Sequence, residues 1–314
     1  MNFNTARARS RIQAAIRSFF TYEGYLEVET PVLSPAVIPE SPIELFETVH
    51  YADGGGSRPF YLLPSPELYM KKLLAAGSGN IFQLVRSFRN GEEAGGLHNS
   101  EFTMLEWYTE DADYQDSIAT TERFFSSLAD AAPFGPFPAE LAEQLRPPFR
   151  TISVNEAFRR YAGVDLLEAQ NRRRLADSAS RVGLSVDEEN ESWEEIFNRL
   201  LLTFVEPQLP ADSPTILYDY PAQIPALAKR SDTGPWLERW ELYVGKVELA
   251  NCYSEETDPR LIRDFFEREY AAKAAFARVL PDIDAEFLSL FEHSESDSAF
   301  PRCSGTALGV DRLV

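Results

Sequence analysis

The alternation of apolar and polar residues predicts two β-strands around a glycine-rich loop. Residues 81–89 and 101–108 are rich in strand-forming side chains, and the segment between them, NGEEAGGLHN, holds three glycines and two asparagines. Because side chains alternate between the two faces of a strand, a loop centred on this segment would bring Gln83 opposite Glu106. The chain is therefore expected to form a β-hairpin that gathers polar groups on one face.

The polar face of this hairpin would carry a cation, an anion, an amide and a phenol. These groups come from Arg89, Glu106, Gln83 and Tyr108. A dry core excludes such groups because burying them without partners costs free energy, whereas a zwitterionic or phosphorylated ligand would pair with them. The structural alternative is a solvated sheet face with surface ion pairs.

A second hairpin is predicted where two apolar runs flank Gly245 and Lys246. Glycine at the first central position is what a two-residue type II′ turn requires. This turn would pair Tyr243 with Glu248. Since cross-strand partners share a face, Glu248 and Glu241 would become diagonal neighbours, roughly 7–8 Å apart at Cα.

Two glutamates at this spacing repel each other unless a cation lies between them. Mg²⁺ is held in proteins by one or two carboxylates together with substrate phosphates, so the pair is a candidate metal site. The alternative is neutralisation on the surface by Lys246 or Arg239. Asn251 and Glu255 lie an odd number of residues from the second glutamate, and they would need a bulge or turn near Cys252 to reach the same face.

Helical spacing of apolar residues marks two further parts of the chain. A helix over residues 5–22 is predicted, with Gly24 beyond it as a C-terminal stop. Its apolar face is formed by Ile12, Ile16, Phe19 and Phe20. Residues 131–148 are rich in proline and are typical of a linker, while 152–209 have helical patterning in which Trp193 is most simply a core residue.

The C-terminal segment GTALGVDRLV places small residues at alternate positions of a predicted strand. Gly305, Ala307 and Gly309 would let a flat ligand approach the backbone, and the guanidinium of Arg312 would stack on an aromatic base. The segment is neither a P-loop nor a dinucleotide fingerprint, because it lacks the lysine of the first and the glycine spacing of the second.

These pieces occur in the order found in class II aminoacyl-tRNA synthetases, and the chain resembles their catalytic core along nearly all its length. The segments that resemble motifs 1, 2 and 3 are RIQAAIRSFFTYEGYLEVETPVL, LVRSFRN with HNSEFTMLEWY, and GTALGVDR. Within the class, the lysine branch is indicated by YLLPSPELYMKKLL, HNSEFTMLEWY and VELANCYSEETD.

The chain looks closer still to the paralogues of lysyl-tRNA synthetase that ligate lysine to elongation factor P. It begins at the motif 1 helix, which leaves no room for the anticodon-binding OB-fold domain of true lysyl enzymes. Ala307 stands where those enzymes have the middle glycine of motif 3, and the paralogues have alanine there.

The resemblance implies an α+β fold, with an antiparallel sheet flanked by helices. It implies one catalytic domain over residues 1–314, with a helical insertion at about 131–210 between motifs 2 and 3. It also implies a homodimer formed through the motif 1 helix, although the same apolar pattern is typical of an ordinary core helix.

The resemblance assigns a role to each matching residue. Arg89 would hold the α-phosphate of ATP, and Arg312 would stack on adenine and reach the γ-phosphate; these two are the catalytic residues. Further ATP-binding positions are Gln83, Glu92, His98, Asn99, Glu248 and Gly309. The lysine pocket would be lined by Ser65, Glu67, Glu106, Tyr108, Asn251, Tyr253, Glu255 and Ala307. Mg²⁺ would be held by Glu241 and Glu248.

The activity implied is the ATP-dependent activation of lysine or β-lysine as an aminoacyl-adenylate. The activated group would then pass to a lysine side chain of elongation factor P. Several carboxylates in one pocket suit such a substrate, because a buried ammonium is costly unless it is paired and lysine brings two of them. The extra methyl of Ala307 would favour the β-lysine isomer.

The chain departs from the family at four places. The acid that usually follows the motif 2 arginine by two residues stands one residue later, at Glu92, with Glu93 as the alternative. An arginine usually found before the His-Asn pair is missing, so His98 alone would contact the outer phosphates. Cys252 replaces a glycine, and the chain ends at Val314, where the family continues through a further helix.

Composition favours a protein acceptor over tRNA. Thirty basic against fifty acidic residues give a net charge of −20, and nucleic-acid binding depends on basic patches, although a local patch can override the net charge. The two cysteines lack a C-x-x-C or histidine-rich partner, which argues against zinc and disulfide frameworks. No apolar run reaches the length of a membrane span and no signal peptide precedes the first helix, so a cytoplasmic protein is expected.

Two other functions fit the same residues. One is an amino-acid ligase that uses another carrier. The other is a regulatory paralogue of lysyl-tRNA synthetase with impaired catalysis, which the altered motif 2 loop favours.

Overall fold

The hairpin predicted from the polar pattern is confirmed in the computed structural model. Strand Ile81–Phe88 pairs antiparallel with strand Glu101–Glu110, and Gln83 lies opposite Glu106. The register follows from the period of two, which fixes the face of every side chain once one pair is set.

The structure describes residues 3–91, 95, 98–131, 139–187, 189–292 and 300–314. The chain divides into two units, one formed by Met1–Asp113 with Ser254–Val314 and the other by Tyr114–Tyr253. The insertion predicted at about 131–210 falls within the second unit, and its boundaries remain a prediction.

The first unit contains a mixed sheet, a smaller sheet and five helices among the residues described. In chain order its elements are α1 (Phe3–Tyr22), β1 (Leu26–Glu27), β2 (Leu33–Ser34), β3 (Phe46–Tyr51), β4 (Ser57–Leu62), α2 (Glu67–Ala75), β5 (Ile81–Phe88), β6 (Glu101–Glu110), α8 (Pro259–Phe276), α9 (Ala285–Ser289), β11 (Cys303–Gly309) and α10 (Val310–Leu313). The order in the mixed sheet is β1-β5-β6-β11, antiparallel except for the β1–β5 pair, and the smaller antiparallel sheet has the order β2-β4-β3.

The second unit combines four strands with a helical segment. Its elements are α3 (Tyr114–Asp130), α4 (Ala139–Gln144), β7 (Arg150–Ser153), α5 (Val154–Ala157), α6 (Arg172–Arg181), α7 (Trp193–Leu200), β8 (Thr215–Pro221), β9 (Trp236–Val244) and β10 (Val247–Ser254). Single π-helical turns extend α5 and α7, and a short 3₁₀ turn follows the second of them. The strand order is β7-β8-β9-β10, with β7 and β8 parallel and the other pairs antiparallel.

Aromatic packing under the hairpin orients its polar face. Phe82 and Trp107 point away from Gln83 and Glu106, and both rings meet Phe20 of α1, at centroid distances of 5.0 and 5.1 Å. The predicted helix is confirmed, and its four apolar residues are buried. Because one face of the hairpin is committed to this core, the other is left to the polar side chains.

The helical patterning predicted over residues 152–209 is also confirmed. Trp193 is buried in the core of the second unit, where its ring stacks on Phe197, and its indole nitrogen donates a hydrogen bond to the Ala169 carbonyl at 2.9 Å. A buried indole N–H needs such a partner, so Trp193 is a core residue as expected.

The second hairpin is confirmed, but its predicted turn type is wrong. Glu248 pairs with Tyr243 as expected, whereas Gly245 and Lys246 both have positive φ, +57° and +68°. Positive φ at both central residues defines a type I′ turn, not type II′. The type I′ twist matches that of the strands, and lysine adopts the left-handed conformation here.

A β-bulge follows the turn. The register shifts between Glu248 and Ala250, so that Asn251 lies opposite Glu241. Asn251 and Glu255 were expected to need a bulge or turn near Cys252 to share the face of Glu248, and the structure has a bulge earlier in the strand. One extra residue re-aims every later side chain of β10.

Among the residues that the structure describes, none of the helices combines the length and apolar character that crossing a bilayer requires.

Candidate active site

Three buried glutamates of the first unit form a carboxylate pocket. Glu67 begins α2, Glu106 lies in the middle of β6, and Glu255 follows β10; their exposed fractions are 8%, 3% and 3%. All three were predicted to line the lysine pocket. Buried carboxylates in this number are unfavourable unless cations compensate them, which makes the pocket a candidate cation-binding site.

A buried lysine lies between two of these glutamates. The Lys71 ammonium is 2.6 Å from Glu67 Oε1 and 2.6 Å from Glu255 Oε2. Burial lowers the pKa of Lys71, but Glu255 and Glu67 outweigh it and raise the pKa overall. Sequence reasoning missed this residue. The signal was available, because Glu67 and Lys71 have the i, i+4 spacing of a helical ion pair.

Glu106 has a neutral donor in place of a cation. The Tyr108 hydroxyl donates a hydrogen bond to Glu106 Oε1 at 2.7 Å. Burial, and next the charge of Glu67, hold the pKa of Glu106 well above its usual range. Burial also raises the pKa of Glu255, to about 7, although Lys71 opposes that shift. Both carboxylates are therefore short of positive charge in this arrangement.

Gly305 forms the floor of the pocket beneath Glu255 and Tyr108. A Cβ atom built on Gly305 would overlap Glu255 Oε1 and lie 2.5 Å from Tyr108 Cε1. Glu255 Oε1 is buried and has no hydrogen-bond partner among the described residues. The small residue predicted to permit close approach thus permits the approach of these two side chains.

Ala307 and Gln83 flank Glu106 in the sheet. Ala307 lies opposite Glu106 on β11, and Gln83 lies opposite it on β5. Gln83 is buried, and its Oε1 accepts a hydrogen bond from the Thr30 hydroxyl at 2.9 Å. Ser65 is half-buried just before α2. The structure therefore gathers most of the predicted lysine-binding residues of the first unit around Glu106.

Arg89 lies just beyond the end of β5. Its backbone N–H donates to the Ser100 carbonyl at 3.0 Å, and its guanidinium lies over the Phe102 ring, 5.3 Å from the centroid. Its Nε is buried without a hydrogen-bond partner among the described residues. A guanidinium with an unused donor is suited to an anionic ligand.

A second arginine is brought to the loop end of the hairpin. Arg312 Nη2 lies 2.8 Å from His98 Nε2. Asp311 accepts a hydrogen bond from the Thr103 backbone N–H at 2.5 Å and pairs with Arg9 of α1. These contacts fix α10 on the sheet. Sequence reasoning did not single out Asp311 or Arg9.

Two other predicted ATP-binding residues lie near the loop end of the hairpin or at the end of β11. Asn99 is exposed beside His98, and Gly309 ends β11 as the residue before α10. Glu92, the displaced motif 2 acid, and its alternative Glu93 lie outside the residues that the structure describes.

The predicted metal pair lies in the second unit on one face of the β9–β10 hairpin. Glu241 accepts hydrogen bonds from the Tyr243 and Tyr220 hydroxyls and pairs with Arg239 at 2.7 Å. Arg239 therefore neutralises Glu241 as the alternative interpretation expected, but inside the protein and not on its surface. Lys246 instead donates to the Pro207 carbonyl at 2.7 Å.

Asn251 and Tyr253 lie on β10 opposite Glu241 and Arg239. Among the described residues, no group of three or more metal-binding side chains occurs. Two carboxylates suffice for Mg²⁺ when a substrate supplies phosphate oxygens. The hairpin fits that role, with Glu248 on the same face and Glu241 held in place by its three donors.

A sheet that presents arginines beside a buried carboxylate pocket, with small residues on the neighbouring strand, is the amino-acid-activating core of a class II synthetase. The family model described as tRNA synthetases class II (D, K and N) matches residues 2–314, and the chain belongs to this family. The family and the fold class predicted from the sequence are confirmed.

Three relatives share the name elongation factor P–(R)-β-lysine ligase. The protein of Sodalis glossinidius (strain morsitans) is 38% identical over 312 residues, which cover 98% of this chain and 88% of the relative. That of Pectobacterium carotovorum (strain PC1) is 39% identical over 311 residues, with the same coverage. That of Mannheimia succiniciproducens is 38% identical over 314 residues, covering 99% and 90%.

Proposed function

We propose that this protein activates lysine or β-lysine with ATP and transfers the aminoacyl group to a lysine side chain of elongation factor P. The observation that carries the proposal is the buried pocket of Glu67, Glu106 and Glu255, since Lys71 can offset only one of the three carboxylates and a cationic ligand would offset the others. The relatives named for this reaction with (R)-β-lysine support the choice of substrate and acceptor.

Activation needs positioning and charge stabilisation more than acid–base chemistry. The carboxylate of the amino acid is ionised at neutral pH and attacks the α-phosphorus of ATP without a general base. The new bond joins the carboxylate oxygen to this phosphorus, and pyrophosphate leaves with the electrons of the broken bond. Arg89 holds the α-phosphate, where its unused Nε donor meets the charge that develops in the transition state.

Arg312 and His98 contact the adenine and the outer phosphates in this proposal. Their side chains meet at 2.8 Å on the exposed side of the first unit. Asn99, Gln83 and Gly309 complete the nucleotide contacts, with Glu92 as the acid that binds adenine.

Mg²⁺ is the proposed metal, held by Glu248 and Glu241. Bound there, it would offset charge on the phosphates of ATP. Glu248 is the principal ligand, because the oxygens of Glu241 already accept three donors within the second unit. Ser65, Asn251 and Tyr253 complete the amino-acid contacts, together with Tyr108 and Ala307.

Transfer completes the reaction. The amine of the acceptor lysine attacks the carbonyl of the aminoacyl-adenylate, and AMP leaves as an amide forms. Since the acceptor is a translation factor, the cytoplasm is the proposed compartment. Recognition of a tRNA anticodon has no place in this proposal.

A homodimer through α1 and the adjoining β1 is part of the proposal. Large apolar side chains are exposed there: Phe3 by 70%, Tyr22 by 87% and Leu26 by 57%. Phe3 begins the helix, whereas Tyr22 and Leu26 lie at and beyond its C-terminal end. Exposed large apolar side chains of this kind are typical of an interface.

Exchange of radioactive pyrophosphate into ATP tests the proposal. We expect exchange that requires (R)-β-lysine or lysine and does not occur with norleucine, which lacks the second ammonium. Absence of exchange with both diamino acids would refute the proposal and favour the regulatory paralogue. Exchange without transfer to elongation factor P would favour a ligase with another carrier.

Replacing Glu248 by alanine tests the metal site. Exchange is expected to fall by at least about 100-fold, since a metal bound to phosphates supplies several kcal/mol of charge stabilisation. The matched control is Glu238→Ala on the neighbouring strand, where Glu238 pairs with Lys229. Full Mg²⁺-dependent exchange by the Glu248 variant would show that the paired glutamates have only a structural role.

Replacing Ala307 by glycine tests the isomer preference. Ala307 faces Glu106 across the sheet, so removing its methyl alters the floor of the pocket. We expect the ratio of kcat/KM for (R)-β-lysine to that for α-lysine to fall by about 10-fold, as one methyl group in a pocket is worth that much. An unchanged ratio would remove Ala307 from substrate choice.

A further inference from the structure

Among the described residues, the carboxylate pocket contains one cationic side chain, Lys71, and the proposed reaction gives it no role. Lys71 is only 2% exposed, the same as Tyr108 and less than any of the three glutamates around it. Both of its partners are glutamates proposed to bind the amino acid. A lysine needed only to stabilise a helix would pair at the surface, as the next residue, Lys72, does with Asp284 and Glu286.

The carboxylates of the pocket outnumber its ammonium groups. One ammonium can offset only one of three ionised carboxylates, so two of the three lack a matching cation when all are ionised. The contacts show which carboxylates lack positive charge. Glu106 forms no ion pair with any described residue, and Glu255 Oε1 is buried with no described hydrogen-bond partner. Because two uncompensated buried charges would be costly, burial raises the pKa of Glu106 and Glu255, and a cationic ligand would allow both to ionise.

We infer that Lys71 is a positioning residue that sets the charge of the amino-acid site. With Lys71 paired to Glu67 and Glu255, the pocket has a charge of minus two once all three carboxylates are ionised, which the two ammonium groups of a diamino acid offset. An amino acid with a single ammonium leaves one buried carboxylate unpaired and is rejected. This inference rests on the proposed function and names the residue that makes the pocket selective for a dication.

The charged and titratable groups that influence Glu255 come from α2 and β6. Glu67 and Lys71 face it from α2, and Glu106 and Tyr108 from β6. Burial, then Glu67, raise the pKa of Glu255, while Lys71 lowers it. Lys71 also lowers the pKa of Glu106. Removing the lysine should therefore make both carboxylates take up protons at higher pH, with loss of the charge that binds the substrate.

The test is the pH dependence of KM for (R)-β-lysine or lysine in pyrophosphate exchange, with and without Lys71. In the wild type, KM should rise as pH falls through about 7, because Glu255 is then protonated. In Lys71→Met the pH midpoint should move up by at least about one unit, the effect of an ammonium in direct contact. The Kd for ATP should stay unchanged.

The matched control is Lys72→Met, which removes the same charge from the next residue of α2. Its pH midpoint should equal that of the wild type. An unmoved midpoint in a folded Lys71→Met variant would overturn the inference while leaving the proposed function intact. Absence of exchange by the wild type with both diamino acids would refute the proposed function and, with it, this inference.

A measurement on the wild type covers the case in which Lys71→Met does not fold. Binding of the diamino acid at pH 7 should release about one to two protons, because Glu106 and Glu255 must ionise to pair with it. Calorimetry in two buffers of different ionisation enthalpy measures that number. Release of no protons would overturn the charge count, and norleucine should release fewer than the diamino acid.

Discussion

Replacing Gly305 by alanine is expected to abolish amino-acid activation. The added Cβ would occupy the space of Glu255 Oε1 and approach Tyr108. Both side chains belong to the carboxylate pocket, and neither can move without breaking its contact with Lys71 or Glu106. A displacement of about 1 Å in a positioned group costs roughly 100-fold in rate. We expect kcat/KM for the diamino acid to fall by at least that factor.

The effect of this substitution is steric and local. Gly305 has no positive φ, so alanine introduces no backbone strain there. The Kd for ATP should therefore remain within about twofold of the wild type, because the phosphate contacts lie elsewhere. The matched control is Ser304→Ala on the same strand, where a buried hydroxyl without a described partner is removed. Normal activation by the Gly305 variant would show that the pocket is not where the amino acid binds.

Replacing Arg89 by alanine is expected to slow activation by about 10²–10³-fold in kcat, the usual effect of losing one donor to a developing oxyanion. The guanidinium would no longer stabilise the α-phosphate, while the carboxylate pocket would keep its geometry. Single-turnover formation of the adenylate measures the effect directly. The KM for the diamino acid should change much less than kcat.

Strand β5, which leads into Arg89, provides the control for this prediction. Arg86 is three residues earlier, exposed, and paired with Glu101 at 3.5 Å. Since it points to the opposite face of β5, Arg86→Ala removes an equal charge from the hairpin without touching the site. An equal loss of kcat in the Arg89 and Arg86 variants would mean that Arg89 acts only through the overall electrostatic potential of the protein.

The pairing in both hairpins follows from the sequence because the side-chain period of two limits the possible registers, and in the second hairpin the two-residue turn limits them further. The pairing of Gln83 with Glu106 and that of Tyr243 with Glu248 were both predicted and are confirmed. The aromatic core beneath the first hairpin follows from the same alternation, with Phe82 on the buried face. In such segments one local pattern decides the structure.

The features that sequence reasoning missed depend on conformations or contacts that no local pattern specifies. Type I′ and type II′ turns both accept glycine first, and only the φ of Lys246 separates them. The bulge after Glu248 has no sequence signal of its own. Lys71 and Glu255 are far apart in the chain, so the helical spacing indicated only one of the two partners of Lys71, which is Glu67.

The intact mass of elongation factor P after incubation with this protein tests the central claim most directly. With ATP, Mg²⁺ and (R)-β-lysine or lysine, we expect elongation factor P to gain the mass of one aminoacyl group at a lysine side chain. Gly305→Ala should give no gain under the same conditions. An unmodified factor together with aminoacylated lysine tRNA would contradict the account, because the carboxylate pocket would then serve a different acceptor.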